Sequence, residues 1–266
     1  MTLQCIQQPQ PHLDAKIEAG VLTLAINRPD AKNALYSELY LQLAQALDEA
    51  DQSSAVRVVI LRGADQDFSA GNDMQDFMKF VKSPSQNKAG DEPPFVLLKA
   101  AARFSKPLII AVKGVAIGIG VTLLLHADLV YSDDSAIFQM PFVSLGLSPE
   151  GGASRLLIQQ AGYKRAAELL FTAQKFNSEK ALHAGLINAV VDDVYAYAEQ
   201  QAQHLAALPL ASIKQSKALM KHNLDEILAL VDAEAEIFMQ RVKSPELLEA
   251  VQAFMQKRRP DFSQFN

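Results

Sequence analysis

The chain has 266 residues, and 49% of them are apolar, which suffices for a complete hydrophobic core in one large domain or in one domain with a helical appendage. Its formal net charge of −5 at pH 7 provides no broad basic surface, so the composition argues against nucleic-acid binding. Cys5 is the only cysteine, which excludes an intramolecular disulfide framework and fits a reducing compartment.

The sequence gives no sign of a membrane segment or a targeting signal. The longest apolar stretch, residues 108–125, is interrupted by Lys113 and by glycines, so we expect no transmembrane span. Residues 1–20 contain neither a basic region followed by an apolar core nor an Arg-rich amphipathic pattern. We therefore expect a cytoplasmic protein that does not act at a membrane.

The first half of the sequence alternates between strand and helix patterns. Short runs rich in β-branched residues and bounded by turn residues predict strands, and apolar residues at helical spacing predict amphipathic helices. The predicted strands are 21–26, 56–61, 108–112 and 129–131, and the predicted helices are 37–50, 74–81 and a short apolar helix that ends near His126. This alternation predicts an α/β fold.

Helical patterns dominate the second half. One strand is predicted at 187–191, and helices are predicted over 155–161, 165–171, 195–208, 211–220, 224–242 and 245–256. A long polar loop is expected over residues 82–94. No linker that would separate independent domains is evident.

Several common catalytic and cofactor motifs are absent. The sequence contains no Gly-x-Ser-x-Gly motif, no Walker phosphate-binding loop and no His-Glu-x-x-His motif. Its five histidines are isolated from one another, so we expect no metal site. Gly118 and Gly120 follow a predicted strand, but Leu123 stands where a dinucleotide-binding fingerprint has its third glycine, so no nicotinamide cofactor is expected.

Two glycine-containing loops remain, over residues 69–73 and 118–121, and each leads from a predicted strand into a predicted helix. The first N–H groups of a helix lack internal partners and attract negative charge. If the loops converge, one N–H from each could stabilise a carbonyl oxygen as it becomes an oxyanion, worth about 3–4 kcal/mol per donor. The alternative is that both loops are only tight turns.

Both loops belong to longer motifs. Residues 68–74 (FSAGNDM) resemble the F-x-A-G-x-D segment of the crotonase (enoyl-CoA hydratase/isomerase) superfamily, and residues 106–120 (KPLIIAVKGVAIGIG) resemble its K-P-x-I-A-A-V-x-G-x-A-x-G-G-G segment. Further similarity over residues 26–35, 128–131, 136–138 and 253–262 extends the resemblance to essentially the whole chain.

The resemblance implies a fold, an assembly and a ligand. It implies the crotonase α/β spiral of repeated ββα units with the acyl-CoA site in residues 1–200, and a C-terminal helical region in residues 201–266. It also implies a homotrimer or a dimer of trimers, with helical faces of the last third buried between subunits. The substrate would be an acyl-CoA thioester, so coenzyme A arrives with the substrate and no separate cofactor is expected.

The resemblance also assigns roles to single residues. The backbone N–H groups of Ala70 and Ile119 match the two oxyanion donors of the family, although glycine is usual where Ile119 stands. Lys257 and Arg258 resemble basic residues that some members offer to the nucleotide phosphates. The other residues expected at the substrate are Ser69, Gly71, Asn72 and Asp73 in the first loop, Arg28 and Lys32 near the nucleotide and pantetheine, and Thr122 and Phe142.

Within the family, hydration and isomerisation require different carboxylates. Family hydratases activate water with two carboxylates, and the two matching positions here are Thr122 and Phe142, neither of which can act as a general base. Residues 121–125 and 141–151 instead resemble the peroxisomal-type Δ3,Δ2-enoyl-CoA isomerases, whose single catalytic carboxylate matches Glu150. Hydratase-type or other enolate chemistry, and acyl-CoA binding without catalysis, remain as alternatives.

Glu150 also has a purely structural interpretation. Ser148, Pro149 and Glu150 are typical of a helix start, with Ser148 as N-cap and Pro149 at the first helical position. The helix end would lower the carboxyl pKa and an apolar acyl pocket would raise it, so a useful base requires burial to dominate. The competing carboxylates, Asp73 and Asp128, are interpreted as structural, and Tyr131 and Phe138 as core.

Overall fold

Two β-sheets organise residues 8–82 and 88–265, which a computed structural model describes. Cys5 lies outside the described residues. In spatial order, the larger sheet contains β1 (Leu13–Glu18), β2 (Val21–Ile26), β3 (Val58–Gly63), β4 (Leu108–Val112), β6 (Leu129–Ser132) and β9 (Ala189–Val190). The smaller sheet contains β5 (Val115–Ile117), β7 (Ile137–Gln139) and β8 (Phe176–Asn177). Only the β1–β2 and β7–β8 pairs are antiparallel among these strands.

Helices follow the strands and close the C-terminal part. They are α1 (Ser37–Gln52), α2 (Met74–Lys82), α3 (Pro93–Arg103), α4 (Ile119–Thr122, continued by the 3-10 turn Leu123–His126), α5 (Ala153–Ala161), α6 (Tyr163–Thr172), α7 (Ser178–His183), α8 (Val194–Ala207), α9 (Leu210–Met220), α10 (Leu224–Val242) and α11 (Pro245–Met255). Across the described ranges, no helix combines the length and apolar character that a membrane span requires.

The chain repeatedly passes from the larger sheet to the smaller one and then into a helix. β4 is followed by a turn at Gly114, by β5 and by α4, and β6 is followed by β7. A side chain at Gly114 would collide with the backbone of Gln66, so the turn requires glycine. This repetition of strand, strand and helix confirms the α/β spiral with C-terminal helices that the resemblance implies.

Alternate residues of the central strands face two different layers. Val59 and Leu61 of β3 belong to the main core, which also contains residues of α1 and α3. Val58 and Ile60 face the opposite side, where they pack with Ala198 and its neighbours on α8. Because both faces are covered, the parallel strands are apolar runs without polar alternation.

The predicted elements are present with small shifts at their ends, but several elements were not predicted. β1 and α7 are two of these unpredicted elements. α3 is a third: it begins at Pro93, inside the segment expected to be a loop, because Pro93 and Pro94 fit the first turn of a helix. The division expected after residue 200 falls inside α8, which packs on the larger sheet. We therefore begin the C-terminal helical region with α9.

Candidate active site

The two glycine-containing loops converge. The loop after β3 runs beside β5, because Ser69 N–H donates to Val115 O (2.9 Å) and Ile117 N–H donates to Ser69 O (3.0 Å). Gly71 has φ +84°, and a Cβ atom there would lie 2.5 Å from Ile117 O. Only glycine permits this approach, so the sequence places the first loop directly against the segment that starts α4.

The free backbone donors differ in part from the prediction. Ala70 N–H donates to Lys32 O (2.9 Å), so its assignment as an oxyanion donor is wrong. Leu35 lies beside Asn72 in a parallel bridge. Leu35 N–H donates to Gly71 O, and Leu35 O accepts from Asp73 N–H, so both neighbours of Asn72 are fixed. The N–H groups of Asn72 and Ile119 have no hydrogen-bond partner in the part of the chain that the structure describes, and both residues line one cavity.

This cavity has a volume of about 50 Å³ and lies between the two loops, α3 and α10. Of the predicted site residues, Asn72, Asp73, Ile119 and Glu150 line it. The remaining lining residues are Leu35, Ser37, Tyr40, Asp76, Phe77, Glu92, Pro93, Pro94, Phe95, Phe238 and Met239. The other predicted residues are not part of the lining; they are Arg28, Lys32, Ser69, Ala70, Gly71, Thr122 and Phe142.

Glu150 is a buried carboxyl group beside the free N–H of Ile119. It is 4% exposed, and its Oε1 accepts a hydrogen bond from Thr122 Oγ1 (2.6 Å), one turn along α4 from Ile119. Its Oε2 has no partner among the described residues. Burial raises the pKa of Glu150 to about 8; the Thr122 hydrogen bond opposes this rise, and the charge of Glu234 adds to it.

The helix start predicted at Ser148 is wrong. α5 begins at Ala153, after Gly151 and Gly152, which both have positive φ. Its first N–H groups are capped from α10, because Glu234 Oε2 accepts from Gly152 N–H (2.6 Å) and Glu234 Oε1 accepts from Ser154 N–H (2.9 Å). Glu234 carries no signal in the sequence for this role, since no local pattern connects residues that lie about 80 positions apart.

Two further contacts fix the turn after Glu150. Buried His126 donates from Nε2 to Gly151 O (2.7 Å), and burial lowers the pKa of His126 to about 4, so the ring is neutral. Leu98 of α3 packs on the other side, because a Cβ atom at Gly151 would lie 3.2 Å from its methyl groups. The carboxyl group is therefore held by contacts from α3, α4 and α10 on its immediate neighbours.

Asp73 and Asp128 have the structural roles predicted for them. Asp73 Oδ1 accepts from Gln75 N–H and Asp76 N–H, and its Oδ2 pairs with Arg28 (2.7 Å). Burial raises the pKa of Asp73, but these hydrogen bonds and the Arg28 charge together outweigh that effect, so the pKa of Asp73 lies below its ordinary value. Asp128 Oδ2 accepts from Leu108 N–H and from Lys217 Nζ, and thereby joins the start of β4 to α9.

The predicted cationic residues divide into engaged and exposed groups. Arg28 is occupied by Asp73 and by Ala34 O, and Arg258 makes a bidentate pair with Glu249. Lys32 and Lys257 are exposed.

Phe142, like Tyr131 and Phe138, is buried in the hydrophobic core. The described ranges contain no cluster of His, Cys, Asp and Glu suited to a metal ion.

Comparison with known proteins identifies the family. The Enoyl-CoA hydratase/isomerase family profile matches residues 16–265. The chain is 35% identical to the 1,2-epoxyphenylacetyl-CoA isomerase of Escherichia coli K12 over 93% of this chain and 96% of the relative. It is 32% identical to enoyl-CoA delta isomerase 2 of Rattus norvegicus over 91% of this chain and 62% of that protein. Other relatives of similar identity bear hydratase names.

A solved structure agrees with these sequence matches. The crystal structure of a candidate enoyl-CoA hydratase/isomerase from Acinetobacter baumannii superimposes with a TM-score of 0.91 and 72% identity, covering 93% of this chain and all of that one. The chain therefore belongs to the enoyl-CoA hydratase/isomerase family of the crotonase superfamily.

Proposed function

We propose that this protein converts 3-enoyl-CoA thioesters into 2-enoyl-CoA thioesters. The observation that carries the proposal is Glu150, a buried carboxyl group with one unpartnered oxygen, in the same cavity as two free backbone N–H groups. In this mechanism, the thioester oxygen accepts hydrogen bonds from the N–H groups of Asn72 and Ile119. Ile119 retains the role that the resemblance gave it, and Asn72 replaces Ala70.

Glu150 then moves one proton between two carbon atoms. Its carboxylate takes a proton from C2, and the electrons of the broken C2–H bond spread over the thioester carbonyl and the C3–C4 double bond. The two N–H groups stabilise the resulting dienolate oxygen. The protonated Glu150 returns the proton to C4, so the double bond ends between C2 and C3 and the enzyme is regenerated. No cofactor is needed, because coenzyme A is part of the substrate.

The surroundings of Glu150 support isomerisation over hydration. Thr122, at the first position where family hydratases carry a carboxylate, donates its hydroxyl hydrogen to Glu150. Phe142, at the second position, packs in the core and contributes no polar group to the cavity. The isomerase names of the Escherichia coli and rat relatives agree with isomerisation of an acyl-CoA.

The raised pKa of Glu150 sets the expected pH dependence. Only the carboxylate form can accept the C2 proton, so kcat/KM should rise with pH and reach half of its plateau near pH 8. A catalytic carboxyl group with the ordinary glutamate pKa of 4.5 would instead give a kcat/KM that no longer changes with pH near pH 8.

The direct test follows the ultraviolet absorption of the conjugated 2-enoyl thioester after the protein is mixed with a 3-enoyl-CoA. Glu150→Gln keeps the size of the side chain but cannot accept the proton, so the rate should fall by about 10²–10⁴-fold. Glu236→Gln, on the exposed side of α10, is the matched control and should keep the wild-type rate.

Parallel assays separate the alternatives. Loss of crotonyl-CoA conjugation should be negligible, and hydration at a rate comparable to isomerisation would refute the proposal. Binding of a saturated acyl-CoA without turnover of any 3-enoyl-CoA would support a non-catalytic binding protein instead. Near-wild-type isomerisation by Glu150→Gln would require a different base.

We also propose that the protein acts in the cytoplasm as a homotrimer or a dimer of trimers. Exposed apolar side chains on the C-terminal helices support assembly, among them Leu219 and Met220 of α9 and Phe254 and Met255 of α11. Such side chains gain stability when another subunit covers them. Light scattering coupled to size-exclusion chromatography measures the subunit number directly.

A further inference from the structure

Glu92 is a second buried carboxyl group in the cavity, and the mechanism does not use it. It directly precedes α3, is 4% exposed and lines the same cavity as Glu150. Its backbone is satisfied, since its N–H donates to Ala89 O and its C=O accepts from Phe95 and Val96. Its side chain caps no helical N–H and has no hydrogen-bond or ion-pair partner among the described side chains, and its oxygens are not among the fully enclosed atoms, so they reach the open space of the cavity. A carboxyl group that faces a cavity without a protein partner is free to accept a hydrogen bond from a ligand bound there.

The two hydroxyl groups of the cavity lining have already used their donors. Ser37 Oγ donates to Asp76 Oδ2 (2.7 Å), and Tyr40 Oη donates to Asn72 Oδ1 (2.6 Å). Neither hydroxyl is therefore available to Glu92 without breaking an existing bond. The lining contains no Lys, Arg or His among the described residues, and Arg28 outside it pairs with Asp73, so no described cation is paired with Glu92.

The position of Glu92 along α3 relates it to the reactive centre. Leu98 of α3 packs against Gly151, next to Glu150. Glu92 precedes Leu98 by six residues, which corresponds to about 9 Å along a helix axis. The residues that follow it in the chain, Pro93, Pro94 and Phe95, also line the cavity, and the Phe95 ring packs edge-on against Phe238 (5.9 Å). Glu92 thus provides a polar group next to apolar lining residues of α3, about two helical turns from the Leu98 contact with Gly151.

We propose that Glu92 is a specificity-determining residue, which selects acyl chains that carry a hydrogen-bond donor such as a hydroxyl group beyond the reactive double bond and discriminates against chains that end in a carboxylate. A donor on the substrate would supply the partner that Glu92 lacks. A substrate carboxylate would face an acidic lining and leave both groups without a donor. The inference rests on the proposed acyl-CoA isomerase function and names the substrate class for it.

The test compares 3-enoyl-CoA thioesters of matched length that end in a methyl, a hydroxyl or a carboxylate group, over a series of chain lengths. In the wild type, kcat/KM for the best hydroxylated chain should exceed that of its methyl counterpart at least about tenfold, the order expected for a hydrogen bond to a charged group. In Glu92→Leu, this ratio should fall to about one. In Glu92→Gln, the disadvantage of the carboxylate chain should shrink by at least about tenfold. Glu236→Gln should keep the wild-type ratios.

Calorimetric Kd values for saturated acyl-CoA thioesters with the same three ends separate this inference from the proposed reaction. A hydroxyl preference that is lost in Glu92→Leu supports the inference even if no 3-enoyl-CoA is turned over. Equal kcat/KM and Kd values for hydroxyl and methyl chains in the wild type would overturn it, as would a hydroxyl preference that persists in a folded Glu92→Leu protein. Circular dichroism establishes the fold of each variant. Glu92→Gln keeps the side-chain size, so its kcat/KM values for the carboxylate chain test the charge of Glu92 even if Glu92→Leu does not fold.

Discussion

The stability of the Glu150→Gln variant relative to the wild type should increase as the pH rises from 5 to 8. The pKa of Glu150 is about 8 in the folded state against 4.5 for an exposed glutamate. Between these values the unfolded chain releases its proton and the folded chain keeps it, so each pH unit lowers the free energy of unfolding by about 1.4 kcal/mol. The stability that protonated Glu150 contributes is therefore fully present below pH 4.5 and is lost as the pH rises towards 8.

The magnitude follows from the distance between the two pKa values. The ionisation of Glu150 alone should reduce the free energy of unfolding relative to Gln by about 3 kcal/mol at pH 7 and by about 4 kcal/mol at pH 8, approaching about 5 kcal/mol at higher pH. Gln can still accept the Thr122 hydrogen bond at Oε1. Its amide would occupy the site of the unpartnered Oε2, which adds a constant penalty of about 1–3 kcal/mol but no dependence on pH.

Urea unfolding of wild type and Glu150→Gln at pH 5, 6, 7 and 8 measures this difference. The diagnostic quantity is the slope of the difference against pH, since the penalty for the unpaired amide cancels from the slope. Glu236→Gln, which changes an exposed carboxyl group on α10, should show a difference near zero at every pH. A pH-independent difference between Glu150→Gln and wild type would refute the reasoning, because Glu150 would then ionise in the folded state as it does in the unfolded state.

Two further predictions concern the pH profile of isomerisation and have opposite signs. Glu234→Gln removes the negative charge that raises the pKa of Glu150, so the rise of kcat/KM should move to lower pH. Thr122→Val keeps the side-chain shape but removes the hydrogen bond that lowers this pKa, so the rise should move to higher pH. Both profiles are measured from pH 6 to 10, and shifts of the same sign in the two variants would contradict the assigned interactions.

Local sequence patterns predicted the regular elements well where one pattern fills a whole element. The buried run of β4 and the long amphipathic α10 were predicted with the ends that the structure has. β1 was missed because it is an edge strand in which apolar and charged residues alternate over only six positions. α3 was missed because two prolines were interpreted as part of a loop, although proline is well accommodated in a first helical turn.

The site was predicted where its residues belong to one motif and missed where distant elements meet. The sequence identified two loops that could form a site if they converged, and the structure brings them together. It named burial of Glu150 as the condition for a useful base, and Glu150 is buried. The free N–H of the first loop was assigned to Ala70, two positions before Asn72. The sequence does not show that Ala70 N–H is bonded to Lys32 O, which leaves Asn72 N–H as the free donor. Glu92 and Glu234 were not found, since their positions in the cavity depend on the packing of α3 and α10 against the turn after Glu150.

The two acids at this turn divide its requirements between them. The start of α5 needs a hydrogen-bond acceptor for its free N–H groups, and Glu234 provides it with both carboxyl oxygens. Glu150 therefore has no capping role, and its burial beside another acid lowers the stability of the fold. A stabilising function does not account for Glu150. The proton transfer that we propose for Glu150 accounts for it, because the same burial that costs stability raises its pKa to about 8, where a carboxyl group can both accept and return a proton near neutral pH.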